Sequence, residues 1–349
     1  MNEQRRTPKI MRKTLVVLCL LFGLSATAGA QSGTVLLNAA GATFPAPIYS
    51  KWFDVYHNAH SNVQINYQAI GSGAGKAQLT AGTVDFGASD MPMTDDELSK
   101  MKVKALHFPT VLGAVVPTYN IPGVSADLNF SQKALAGIYL GTITKWNDPE
   151  ITKANPNVKL PADDIVVVHR SDGSGTSFIW TDFLSKVSPD WKGKVGAGTS
   201  PNWPVGLGGK GNDGVMGLVK QTPDSIGYVE LIYAMSQKIP FGAVQNASGK
   251  YLKADLAGVS AAAAGAAKEM PEDFRVSITN APGAASYPIS SFTWLLIPSH
   301  FDDANKEQAV KGFLTWMLAD GQGYNEQLSY AKLPPAVVAK EKKALSQIK

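Results

Sequence analysis

Apolar and polar residues follow two periods along this chain. Val63, Ile65, Tyr67 and Ala69 take every second position, the spacing of a strand with one buried face. Short apolar runs at Val84–Ala88, Ile165–Val168, Ile226–Val229 and Trp294–Ile297 read as further strands. Between them the period lengthens. Ile48, Trp52, Val55 and Ala59 share one face of a helix that Pro45 opens at its first position. Ile179, Phe183 and Val187 do the same after Gly175. Thr94-Asp95-Asp96-Glu97 has the form of a capping box and predicts a third helix, and the alanine-rich stretch Ala261–Lys268 predicts another. Strands alternating with helices, without an internal repeat, predict an α/β fold with mostly parallel sheets.

The first thirty residues break this pattern. Arg5, Arg6, Lys9, Arg12 and Lys13 precede an apolar run from Leu15 to Leu24, and small residues end it at Ala28-Gly29-Ala30. That order predicts a secretory signal cut after Ala30, whose run falls short of the roughly 20 apolar residues of a membrane span. Pro8 stands against twin-arginine export. The single cysteine, Cys19, follows Leu18 in mid-run, so a lipid anchor is not expected. With the leader removed there is no cysteine, which excludes disulfides, thiolate metal sites and a thiol nucleophile. The leader also carries the charge imbalance. Of 32 Lys and Arg and 28 Asp and Glu it holds five and one, so the remainder has as many negative as positive side chains and shows no nucleic-acid signature. Residues 31–349 fit two domains at about 150 residues each, with no later segment apolar enough to cross a membrane.

Three turns rich in Gly, Ser and Thr precede helical stretches: Gly41-Ala42-Thr43-Phe44-Pro45, Gly71-Ser72-Gly73-Ala74-Gly75 and Arg170-Ser171-Asp172-Gly173-Ser174-Gly175-Thr176. Glycine lets backbone approach a ligand closely. The first N–H groups of a helix have no internal partner and carry partial positive charge, which suits an oxyanion. Hydroxyl groups add donors that rotate to fit. Each turn alone reads more readily as a helix cap or a tight loop. Three together form an anion-site hypothesis whose condition is that they converge.

These residues resemble the phosphate-specific substrate-binding proteins of ABC importers. The resemblance runs in order over nearly the whole chain after the leader. It rests on Gly41–Pro47, Ile70-Gly71-Ser72, Val84–Asp90, Ile138–Gly141, Lys145–Asp148, Arg170–Thr176, Trp203–Gly214 and Ile226–Glu230, and it is weakest over 238–285 and the C-terminal tail. It implies a two-lobed periplasmic binding protein-like fold of type II, with a hinge and an inter-lobe ligand cleft. Lobe I would comprise 31–111 plus 286–349, and lobe II 112–285, with crossings near Thr110–Pro117 and Ala281–Pro288. It implies that Thr43 donates through hydroxyl and backbone, Phe44 through its N–H, and Ser72 from the next helix start. Ser174, Gly175 and Thr176 would donate from the opposite lobe. Arg170 would supply the one cation, with Asp172 holding it. Asp90 would be a ligand that only accepts hydrogen bonds, and so prefers a protonated anion such as phosphate over sulfate. The implied partners are inorganic phosphate and a separate membrane permease, with a periplasmic monomer, no cofactor and no catalytic residue.

Other features read as structure. Gly206–Gly211 matches G-x-G-x-x-G without a preceding strand and is taken as a loop. His57 and His60 lack a third metal ligand nearby, and His169 reads as strand support. A secreted phosphatase could use the same anion cradle, but it would need a nucleophile or metal cluster, and Ser174 has no G-x-S-x-G context. A surface protein that binds phosphate incidentally is a third reading.

Overall fold

The computed structural model describes residues 33–349; the leader, its cleavage point and Cys19 lie outside the described residues. The chain runs β1 (Val35–Gly41), α1 (Ala46–Ala59), β2 (Val63–Ala69), α2 (Ser72–Ala81), β3 (Phe86–Ser89), α3 (Asp95–Ser99) and β4 (Ala105–Asn120). It continues through β5 (Asn129–Phe130), α4 (Gln132–Tyr139), α5 (Pro149–Thr152), β6 (Val166–Arg170), α6 (Gly175–Val187), α7 (Pro189–Lys194), β7 (Leu207–Gly209) and α8 (Gly211–Gln221). Then come β8 (Ser225–Glu230), α9 (Leu231–Ser236), β9 (Ala243–Gln245), β10 (Tyr251–Leu252), α10 (Leu256–Lys268), β11 (Ser290–Pro298), α11 (Ala304–Met317) and α12 (Pro335–Ala344).

The mostly parallel sheets expected from the alternation are instead one mixed sheet of eight strands, ordered β2-β1-β3-β11-β4-β8-β6-β7, beside a small sheet β10-β9-β5. The wings of the large sheet are parallel: β1 with β2 and β3, and β6 with β8 and β7. Helices α1 and α2 supply the crossovers in the first wing, and α6 to α8 supply them in the second. The middle is antiparallel, because β11 runs against β3 and β4, and β4 runs against β8. Strand β4 joins the wings. Ala105–Ala114 pairs with β11, and Val115–Asn120 pairs with β8. Pro109 sits inside this strand where the register slips between Thr293 and Trp294, leaving Thr110 as the extra residue of a bulge.

Local rules account for most helix ends. Thr94 and Glu97 exchange both capping-box bonds at α3. The alanine-rich helix starts five residues earlier than its composition suggests, because Asp255 caps it by accepting from the Gly258 N–H. Helix α1 starts at Ala46, so Pro45 is its cap and Pro47 lies in its first turn. Its buried face is rotated from the expected one. Ile48 and Trp52 face inward with Tyr49, Phe53 and Tyr56, while Val55 is only half buried and Ala59 is exposed, because the larger aromatic area takes the core side. Gly206–Gly211 is not a loop: β7 and the first residue of α8 occupy it.

A continuous apolar core runs under both wings, with Trp52, Trp146, Trp180, Trp191 and Trp294 fully buried. His169 stacks on Trp203 at 4.9 Å, and its Nδ1 lies 3.0 Å from the Arg170 carbonyl, a supporting role for the strand that carries Arg170. His57 and His60 turn Nδ1 to the carbonyls of Val63 and Tyr56. The stretch Met270–Arg275 lies against the β1 wing. Arg275 donates to the Met93 carbonyl, Trp294 to the Phe274 carbonyl and Lys340 to the Met270 carbonyl. Among the described residues no helix is long and apolar enough to cross a membrane.

Candidate functional site

In a parallel wing all strands deliver their carboxyl ends to one side, where loops collect. The singled-out turns leave such ends. Thr43 and Phe44 follow β1, Ser72 follows β2, Asp90 follows β3, and Arg170–Gly175 closes β6 and opens α6. The turns from the two wings meet. Gly73 N–H donates to the Gly173 carbonyl at 2.8 Å, and Gly175 N–H donates to Ser72 Oγ at 3.0 Å. A Cβ on Gly175 would stand 2.5 Å from both Ser72 Oγ and Asp90 Oδ2, so no other residue fits without moving them. Gly71 is held at φ 95°, and a Cβ there would stand 2.4 Å from Asp172 Oδ2. Thr43, Phe44, Ser72, Asp90, Arg170, Ser174 and Thr176 are each at most 4% exposed, and Gly175 is buried with them.

Arg170 is the cation of the cluster. Its Nε and Nη2 grip both oxygens of Asp172 at 2.7 and 2.5 Å, and its Nη1 lies 3.4 Å from Thr176 Oγ1. Asp172 also accepts the Gly211 N–H at 3.0 Å. The result is a guanidinium fixed by a fork, with one edge left toward the threonine. Burial raises the Asp172 pKa, but the Arg170 bonds and charge and the Gly211 N–H outweigh it and hold the carboxyl below its ordinary value. Ser174 caps α6 by accepting the Ser177 N–H at 3.0 Å.

Two residues of the cluster were not singled out from the sequence. Asn212, in the first turn of α8, donates from Nδ2 to Thr43 Oγ1 at 2.8 Å and to Thr176 Oγ1 at 3.1 Å. Its Oδ1 accepts the Glu230 N–H, which settles the amide orientation. A hydroxyl that already accepts must send its own proton elsewhere, so Asn212 turns both threonines into donors. Thr293, on β11 beside the bulge, donates to Asp90 Oδ1 at 2.7 Å. Asn212 falls inside the Trp203–Gly214 resemblance, which was the available signal; Thr293 had none.

Asp90 is the unusual group. Its Oδ2 is buried without a hydrogen-bond partner among the described residues. Burial pushes its pKa up to about 7, against the pull of Thr293, Arg170 and Ser72. An unsatisfied acceptor thus stands among donors. Ser72 Oγ already accepts the N–H groups of Asp90 and Gly175, so its proton too is directed elsewhere. The N–H groups of Thr43 and Phe44 meet no acceptor among the described residues. Chemically this is a cradle of hydroxyls, helix-start amides and one guanidinium around a single carboxyl, suited to a small oxyanion that carries a proton. Among the described residues no group of His, Cys, Asp and Glu could hold a metal ion.

Comparison with known proteins gives concordant results. The chain matches the PBP superfamily domain over residues 28–321. It is 44% identical over 309 residues to the phosphate-binding protein PstS of Xylella fastidiosa, covering 88% of this chain and 84% of that one. To the protein of the same name from Pasteurella multocida it is 42% identical over 332 residues, covering 95% and 94%. Among solved structures it resembles the high-affinity periplasmic phosphate-binding protein PfluDING bound with phosphate, with a TM-score of 0.69 at 22% identity over 88% of this chain and 93% of that one. A phosphate-binding protein from Stenotrophomonas maltophilia gives 0.66 at 20% over 89% and 94%. These structures share its fold.

Proposed function

The chain belongs to the PstS phosphate-binding proteins of the PBP superfamily, and on that premise we propose that it binds inorganic phosphate in the periplasm and delivers it to a separate membrane ABC importer. The observation that carries the reading is the convergence of four turns on one carboxylate whose free oxygen can only accept. Thr43 and Phe44 donate from the start of α1, Ser72 from α2, and Ser174 and Thr176 from α6, while the Gly175 N–H exchanges its bond to Ser72 Oγ for one to the anion. Arg170 neutralises charge while Asp172 holds it. Phosphate near neutral pH keeps a proton and offers it to Asp90. Sulfate has none and faces a like charge in a dry site, a rejection built into the receptor.

Two lobes close over the anion. The partner switch of β4 between Ala114 and Val115 supports a hinge there, with the β1 wing as lobe I and the β6 wing as lobe II. The contacts of Met270–Arg275 with Met93 and Trp294 support a return crossing reached before residue 285. Each hydrogen bond to a charged group contributes about 1.5–3 kcal/mol. A dozen would exceed the ~18–21 kcal/mol ceiling of non-covalent binding, so phosphate desolvation and lobe closure offset much of the gross gain.

Calorimetry on phosphate-stripped protein tests the reading. At pH 8, above the Asp90 pKa of about 7, tight one-to-one binding of phosphate without measurable sulfate binding is expected; absence of heat with phosphate defeats it. The relatives are named as binding proteins, and no observation favours the phosphatase alternative. Sustained hydrolysis of a phosphate ester by pure protein would revive it. Loss of phosphate uptake on deletion, restored by this chain, tests the transport role and speaks against incidental binding.

A further inference from the structure

Three tyrosines, Tyr233 and Tyr330 buried and Tyr67 half-buried, hold three successive carbonyls of the first ligand turn. Tyr67 donates to the Ala42 carbonyl at 2.6 Å, Tyr233 to Thr43 at 2.5 Å and Tyr330 to Phe44 at 2.6 Å. In a trans peptide the carbonyl of one residue and the N–H of the next point in opposite directions. Pinning the Ala42 carbonyl therefore aims the Thr43 N–H, and pinning the Thr43 carbonyl aims the Phe44 N–H. The third bond aims no amide, because Pro45 has none.

The tyrosines differ in origin. Tyr67 lies on β2 and Tyr330 follows α11, both belonging with the β1 wing. Tyr233 lies on α9, directly after β8. Asn212, from α8 of the same wing as Tyr233, also reaches Thr43, bonding Oγ1 through Nδ2 at 2.8 Å and through its backbone N–H at 3.3 Å. The β6 wing thus grips both the carbonyl and the hydroxyl of one residue in the β1 wing. Burial raises the Tyr233 pKa, with Asp213 and Glu230 adding to it, so its hydroxyl remains a donor throughout the working range. The Ala46 N–H also bonds the Thr43 carbonyl, at a longer 3.2 Å, as part of the turn itself.

We propose that Tyr233 and Asn212 are positioning residues that aim the Phe44 N–H and the Thr43 hydroxyl at phosphate from across the cleft, so that these donors are set only when the lobes meet. The inference rests on the proposed phosphate-binding function and deepens it. Closure and full ligation become one event. An open lobe I offers a less organised turn, and opening releases two donors together with the contacts of lobe II.

The test is Tyr233→Phe, which removes one oxygen, read by stopped-flow phosphate association and release. Release is expected to accelerate about ten-fold, as loss of one buried hydrogen bond predicts, with association within about two-fold. Small-angle scattering should show the phosphate-free variant shifted toward the open form, and the melting temperature without phosphate should hold within about 2 °C, on the order of 1 kcal/mol or less. Asn212→Ala should act in the same direction, and combined with Thr43→Val it should be non-additive, because both act through one oxygen. Tyr67→Phe, within the β1 wing, should leave the open fraction unchanged. Unchanged release in both Tyr233→Phe and Asn212→Ala, with the parent binding phosphate normally, overturns this inference alone. A parent that binds no phosphate overturns the proposed function and this inference with it.

Discussion

Asp90 and Asp172 approach Arg170 from opposite wings of the sheet and titrate in opposite directions. Asp172 meets the guanidinium edge to edge, with both oxygens forked and a further N–H on one of them, and its pKa falls. Asp90 feels the same charge only through space. It keeps one oxygen bare, is buried further, and rises to about 7. The difference lies in contact rather than proximity, since a cation stabilises a carboxylate most when it replaces the hydration that burial removes. Glu341 completes the comparison. It is fully buried, both oxygens lack a partner among the described residues, and burial alone raises its pKa well above the ordinary value. Asp90 and Glu341 share an unsatisfied oxygen, but only Asp90 stands among converging donors, with Thr293 on its other oxygen and Ser72 and Gly175 beside it.

The contrast can be broken at its strongest point first. Replacing Arg170 with Leu takes the half-buried Asp172 from its ionic partner, leaving it the Gly211 N–H, and removes the site's cation. Phosphate affinity should fall about 1,000-fold by calorimetry, in line with the loss of two hydrogen bonds from a charged group at about 1.5–3 kcal/mol each. Arg170→Lys should recover little of it, since an ammonium cannot reproduce the fork. Asp90→Asn comes next. The amide can donate or accept, so phosphate affinity should change modestly while the preference over sulfate falls at least about 100-fold. An unchanged preference would show that the carboxylate does not read the anion's proton. In the parent protein, sulfate binding should grow as pH drops through about 7 and Asp90 gains its own proton.

Asp172→Asn should weaken phosphate binding about ten-fold by loosening the guanidinium, roughly the worth of one charge-assisted bond. The two acids should also oppose each other in pH dependence. The raised Asp90 pKa contributes stability fully present below the ordinary carboxylate range and lost as pH rises through about 7. The phosphate-free protein should therefore melt lower at pH 8 than at pH 5, less so in Asp90→Asn. The lowered Asp172 pKa contributes stability present at neutral pH and lost as pH falls through its folded value. The smallest effect belongs to Glu341→Gln. Relieving a partnerless carboxyl should raise unfolding stability by about 1 kcal/mol at neutral pH and leave phosphate affinity unchanged. A change in affinity would tie α12 to the site.

Much of the site was legible because its chemistry is local. A glycine-bearing turn that runs into a helix start announces its own free N–H groups, and the turns at Thr43, Ser72 and Ser174 are found where the sequence puts them. The capping box at Thr94 and the strand pattern of Val63–Ala69 are equally local. Strand β4 was invisible for the opposite reason. Fifteen of its sixteen residues are buried and it contains Pro109 and Pro117, so it has no alternation to read and carries residues that usually argue against a strand. Without it the antiparallel centre of the sheet could not be foreseen. Thr293 and Tyr233 are ordinary strand and helix residues until folding brings them to Asp90 and Thr43, across sequence separations of 203 and 190.

The sequence by itself determined which turns carry donors suited to an anion, because donors, caps and glycine freedom are properties of a few adjacent residues. The tertiary structure alone decided that those turns face one another, that Asp90 loses water while Asp172 gains a fork, and that α8 and α9 hold the first turn from the far side. Desolvation and hydrogen-bond direction depend on what surrounds a group in space, and neighbours distant along the chain supply that surrounding.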